Sequence, residues 1–190
     1  MPDDKIITLA DIDKNKLPFL VVCHDFKSLF GVSVNMHTHG IYSHCMWCWR
    51  YDEKLKDFMM ATQGWTFGEV PLSKYVENYM LKFWYNPEWT AEQKATINNI
   101  IYARLSLPFW LKAYDIIGII GQKFNMDWLN IPCLDYCSES AGYRILSKVE
   151  PTFTNKHADP SEVNAWCIAN EKMKVYLRYI PDDFVDFVQG

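Results

Sequence analysis

The sequence has no apolar run approaching the ~20 residues that cross a bilayer. Its start, Met1-Pro2-Asp3-Asp4-Lys5, places acidic residues where a secretory leader carries positive charge ahead of an apolar core. No membrane span and no export by that route are expected, and the chain reads as cytoplasmic. Surplus positive charge is lacking too. Lys and Arg number 19 against 23 Asp and Glu, a net charge of −4, so nothing beyond a local basic patch would draw nucleic-acid phosphates or anionic lipid. No nucleic-acid partner is expected. Internal repeats, Gly/Ser linkers and low-complexity stretches are also missing, which leaves one domain spanning 1–190 as the expectation.

What is present is core-forming material. Hydrophobic residues make up 49% of the chain and aromatics 16%, enough to exclude disorder. The six cysteines (Cys23, Cys45, Cys48, Cys133, Cys137 and Cys167) are expected as free thiols, because a domain this large and apolar needs no staples.

Pro18 to Cys23 is short, apolar and β-branched, and 31–34 offers another extended piece. The run from Ile41 to Tyr51 is dense in aromatics at both parities, as in a central strand covered on both faces. Asp52-Glu53-Lys54 turns it, 58–62 returns as the second arm of a hairpin, and 64–68 reads as a further strand or a bulged continuation. The first third is therefore an antiparallel meander. Thr90 with Gln93 forms a capping box ahead of Ile97, Ile100, Ile101 and Leu105 at helical spacing. Pro108 interrupts that helix, 113–120 resumes it and Gly121 stops it, so about 73–130 reads as a helical insertion.

A second helix is expected over 137–148, with Ala141, Ile145 and Val149 as its apolar stripe. Asp159-Pro160-Ser161-Glu162 starts a third that runs through Cys167. The alternation in 174–180 predicts an edge strand. The fold class is α+β with an antiparallel sheet.

Two residue types carry the chemistry. A cysteine at a helix N-terminus has unpaired backbone N–H groups and the positive end of the dipole beside it, both favouring thiolate, and Cys137 holds that position. His44 lies in the aromatic strand, where alternation puts Tyr42, His44, Met46 and Cys48 on one face. A helix packed on that face would bring Cys137 to His44 as nucleophile and base. Without such pairing, each is an ordinary core residue.

Gly40-Ile41-Tyr42-Ser43-His44 leading into an apolar strand, followed later by Tyr136-Cys137-Ser138-Glu139 opening a helix, resembles the circularly permuted papain-like amidases and peptidases of the NlpC/P60 superfamily, in which the His strand precedes the Cys helix. The hairpin after His44, the stretch 64–72, Tyr114-Asp115 and Asp159-Pro160-Ser161-Glu162 fall in the order of that family, so the resemblance covers most of 17–166. It implies a permuted papain-like sheet packed against a nucleophile-bearing helix. It also implies Cys137 as nucleophile, His44 as general base, and the Cys137 backbone N–H as part of an oxyanion hole. The family commonly sets a polar residue on the strand after the His to hold its tautomer. Here Met60 stands where a carboxylate is often found, leaving Thr62 on the same strand face, or Gln63 one residue on, as substitutes.

The resemblance calls for no cofactor and no metal, and for a peptide-like or acyl substrate. A zinc site drawn from Cys45, Cys48, Cys133, Cys137 and the histidines has the wrong spacing, since residues three apart on a strand point to opposite faces. His37, His39 and His157 read as solvated turn residues. Trp84, Tyr85, Trp89, Trp110 and Trp128 cluster in the middle of the sequence, where some would line a substrate cleft. Three functions follow: a cysteine amidase or peptidase, an acyl transferase using the same pair, and a catalytically silent scaffold within a larger assembly.

Overall fold

The structure, a computed structural model, describes residues 12–25, 41–76, 78–112 and 136–181. Their frame is a sheet of six strands, β1 (Phe19–Asp25), β2 (His44–Asp52), β3 (Asp57–Gln63), β4 (Phe67–Pro71), β5 (Tyr79–Tyr85) and β6 (Lys174–Tyr179), in the order β4-β3-β2-β1-β5-β6. Every neighbouring pair is antiparallel. With its helices this is the α+β class expected. The meander of the first third is present as β2-β3-β4. Its first turn is closed by Asp52, whose Oδ1 accepts from the backbone N–H of Lys54 at 3.0 Å and of Leu55 at 3.1 Å.

The helices are α1 (Ser73–Val76), α2 (Ala91–Leu105), the π-type α3 (Glu139–Ile145) and α4 (Pro160–Ala169). Both predicted caps form reciprocally, Thr90 with Gln93 on α2 and Asp159 with Glu162 on α4. Each satisfies two backbone donors that a helix start leaves unpaired. The helix expected over 137–148 is not regular α-helix. Helical turns run unbroken from Cys137 to Lys148, but they pass from α through π to 3-10 geometry. A Cβ on Gly142 would stand 3.0 Å from two carbons of the Phe153 ring, so the missing side chain lets α3 close on that ring.

The expected helical insertion over 73–130 is corrected by β5, which lies inside it and pairs with both β1 and β6. Tyr-Met-Leu-Lys-Phe-Trp-Tyr buries both of its faces, and the dense aromatic content that suggested a cleft is the β propensity of a central strand. Residues 31–34, the resumed helix over 113–120, Gly121, Tyr114-Asp115, Trp128, Cys133, His37 and His39 lie outside the described residues.

Strand alternation sorts the core into two layers. Leu20, Val22, Cys45, Trp47, Ala61 and Trp84 face α2, α3 and α4, meeting Ile97, Ile101, Ala141, Ile145 and Val163. Phe19, Val21, Cys23, Met46, Cys48 and Met60 face the other way, in one cluster with Leu72 and with Leu177 of β6. Cys45 and Cys48 thus stand on opposite faces of β2. Several buried polar groups in the helical layer are paired: Glu150 accepts from Asn86 Nδ2 at 2.7 Å and Trp89 Nε1 at 2.8 Å, and Asn164 Oδ1 accepts from Trp84 Nε1 at 3.1 Å. Such pairing removes the cost of burying them.

Candidate active site

His44 opens β2 opposite Cys23 of β1. Directly paired residues share a face, so its ring belongs with Cys23 and Met46 rather than with Cys45 and Trp47. Thr62, opposite Met46 on β3, lies diagonally across that face, and its Oγ1 is 2.6 Å from His44 Nε2. In the tautomer that donates the Nε2 proton to Thr62, Nδ1 keeps its lone pair and is the nitrogen able to take a proton. Burial pulls the imidazole down to about 4, against the nearby Asp25 carboxylate, which raises it. His44 is therefore neutral at pH 7, the form a general base requires.

Thr62 is the hydroxyl that the sequence offered in place of a carboxylate. Gln63 is not brought to His44: its Nε2 donates to the Lys112 carbonyl at 3.0 Å and its Oε1 accepts from Arg104 at 3.4 Å. Alternation explains the split, since consecutive strand residues face opposite ways. Met60 is buried among apolar neighbours on the His44 face.

Cys137 is buried at the first helical residue before α3. The route expected for its meeting with His44 is corrected. The helix lies on the Cys45–Trp47 face, where Trp47 Nε1 donates to the Ala141 carbonyl at 3.0 Å, and the His44 ring points away from that face. Charge on Cys137 nonetheless reaches groups on both sides: burial first, and that charge next, push up the thiols of Cys23 and Cys45. It also acts on Tyr75, whose phenol is raised mainly by burial and shares a hydrogen bond with Thr62.

Sequence reasoning gave no role to several buried polar residues nearby. Asp25 is buried at the end of β1, two residues from Cys23 and so on its face, and its backbone N–H donates to Ser43 Oγ at 3.0 Å. Strand parity alone would have flagged it as a buried carboxylate. Tyr75 carried no sequence signal, because α1 comes to Thr62 only through the fold. Ser138 and Ser140, which bracket Glu139 just after Cys137, are buried with hydroxyls that have no hydrogen-bond partner among the described residues. Glu139 is buried with its Oε1 3.8 Å from Lys156 Nζ and 3.9 Å from Arg144 Nη2.

The aromatic cluster disperses. Trp84 and Trp89 are core residues bonded to Asn164 and Glu150, Tyr85 packs edge-on to Phe19 and Tyr176, and among the described members only Trp110 is exposed. His157 is in a polar turn, with Nδ1 3.5 Å from the Tyr136 hydroxyl. Cys23, Cys45, Cys48, Cys137 and Cys167 are free thiols. Among the described residues no three His, Cys, Asp or Glu side chains converge as metal ligands, and no helix is long and apolar enough to cross a membrane.

No family model and no curated protein matches the chain. Among solved structures it is similar to the metalloprotein YiiX of Escherichia coli O157:H7, DUF1105, with 12% identity and a TM-score of 0.48 over 88% of this chain and 90% of that one.

Proposed function

We propose that the protein is a cysteine hydrolase of the permuted papain-like kind, cleaving an amide bond in a peptide, cell-wall peptide or isopeptide, with Cys137 as nucleophile and His44 as general base. The observation that carries this reading is the His44 Nε2–Thr62 Oγ1 hydrogen bond of 2.6 Å. It fixes one ring nitrogen, leaves Nδ1 for proton transfer, and gives Thr62 the orienting role that a carboxylate has elsewhere.

In the first step Nδ1 takes the Cys137 proton as sulfur attacks the carbonyl carbon. The developing oxyanion is met by backbone N–H groups at the helix start. Collapse breaks the C–N bond, Nδ1–H returns its proton to the leaving amine, and a thioester remains on Cys137. Water, deprotonated by the same nitrogen, then releases the acid and restores the thiol. No cofactor is needed. Because burial disfavours the imidazolium, the resting pair is thiol and neutral imidazole, and charge separates only as the reaction proceeds.

A silent scaffold is the second reading, favoured by the position of α3 on the face opposite the His44 ring. Alkylation by iodoacetamide, read at each cysteine by mass spectrometry across pH, separates the two. Cys137 is expected to react fastest, because the neutral His44 imidazole takes its proton as sulfur attacks, and to lose that advantage in His44→Ala. A wild-type Cys137 that reacts like an unassisted thiol of pKa about 8.5 would establish the scaffold instead. Turnover of acyl esters but not peptide amides, abolished in Cys137→Ala, would reassign the same pair to acyl transfer.

A further inference from the structure

Asp25 ends β1 as a buried carboxylate, and the backbone around it is fixed. Its N–H donates to Ser43 Oγ at 3.0 Å, the Ser43 N–H donates to the Cys23 carbonyl at 2.9 Å, and the Ser43 hydroxyl donates to that carbonyl at 3.5 Å. Ser43 is the residue before His44, so these bonds stitch the end of β1 to the start of β2. Cys23 pairs with His44, and Asp25, two residues on, pairs with Tyr79 of β5. Alternation therefore sets Asp25 diagonally across from His44 on the same face, a separation that an aromatic ring spans.

Among the described residues, the titratable groups on this part of the face are Cys23 and Asp25 of β1, Tyr75 of α1 and Tyr79 of β5; His24 turns to the other face. Burial pushes up the Cys23 thiol and both phenols, so each stays protonated at pH 7. Negative charge on this face is left to the Asp25 carboxylate. A general base needs one neighbour to hold its tautomer and one to offset the positive charge it gains, and in a Ser-His-Asp triad a single carboxylate does both. The Thr62 hydroxyl is neutral and does only the first.

We propose that Asp25 is a positioning residue whose charge pairs with the His44 imidazolium, so that β1 and β3, the two strands flanking β2, divide the work of one carboxylate. The proton moves from Cys137 sulfur to His44 Nδ1 and none passes to Asp25, which stays ionised throughout. A neutral ring gains little from a nearby carboxylate, so the stabilisation falls on the charge-separated state rather than the resting pair. Its use in turnover rests on the hydrolase reading; the charge pairing does not.

The test compares wild type with Asp25→Asn, which keeps the side-chain size and removes the charge, and with Asp25→Glu, which keeps the charge. Nitrogen-15 nuclear magnetic resonance of the His44 ring reads both the tautomer of its neutral form and the fraction that is imidazolium. In Asp25→Asn the Nε2–H tautomer should persist, because Thr62 still holds it, while the imidazolium fraction at about pH 4.5 should fall about threefold or more. Cys137 alkylation by iodoacetamide should slow in parallel, and Asp25→Glu should recover most of both. Merely structural damage would lower both variants alike. An unchanged imidazolium fraction in Asp25→Asn, or an equal loss in Asp25→Glu, overturns the proposal, and a lowered fraction with unchanged alkylation overturns the use of that charge in the reaction. A wild-type Cys137 without assisted reactivity would instead overturn the hydrolase reading, and the imidazolium fraction would still decide the charge pairing.

Discussion

Acidification is expected to weaken the fold through His44, by an amount set by its burial. An unfolded histidine titrates near 6.5, whereas burial pulls this one down to about 4. Between those values the unfolded chain binds a proton that the folded chain does not, so stability falls as pH drops through that window and the loss is complete below it. Linkage over this shift gives about 2 kcal/mol lost by pH 5 and about 3 kcal/mol by pH 4. Other groups titrate in the same range, so the quantity to measure is the difference in urea unfolding free energy between wild type and His44→Gln. Gln keeps an amide near Thr62 and cannot gain a proton, and subtraction removes the carboxylates and His24 common to both. The difference should shrink steadily from pH 7 to pH 4. A difference constant to within about 0.5 kcal/mol, or a His44 imidazole titrating near 6.5 by nuclear magnetic resonance, would refute the claim that His44 is held neutral by its surroundings.

Three further outcomes follow from single contacts. Thr62→Val keeps the shape of the side chain and removes the partner of His44 Nε2, so it should cost about 1–3 kcal/mol in chemical denaturation. It should also slow Cys137 alkylation, with Thr62→Ser restoring both. Gly142→Ala drives a methyl against Phe153, whose ring carbons stand 3.0 Å from the added carbon, and should lower stability by about 1–3 kcal/mol in thermal melts. Trp47→Phe deletes the donor to the Ala141 carbonyl and should cost about 1–3 kcal/mol. By loosening α3 against β2 it should also change the Cys137 alkylation rate.

Signals confined to a few neighbouring residues were legible in the chain. Capping boxes at Thr90 and Asp159 act over three residues, and both form. The β2–β3 hairpin and the edge strand β6 follow from a period of two, which also places Thr62 rather than Gln63 on the His44 face. Reading β5 as helix failed because a strand buried on both faces shows no alternation, and its aromatics gave no period to choose by.

Local periodicity and capping thus determined the α+β class, most of the strands, and which way His44 and Thr62 face, because those preferences act along the chain. Only the tertiary structure decided which layer α3 joins, that Asp25 and Tyr75 gather at the corner held by His44, and that burial keeps its imidazole neutral. Those depend on contacts between residues distant in sequence, and no period or motif along the chain encodes which of a sheet's two faces a distant helix will cover.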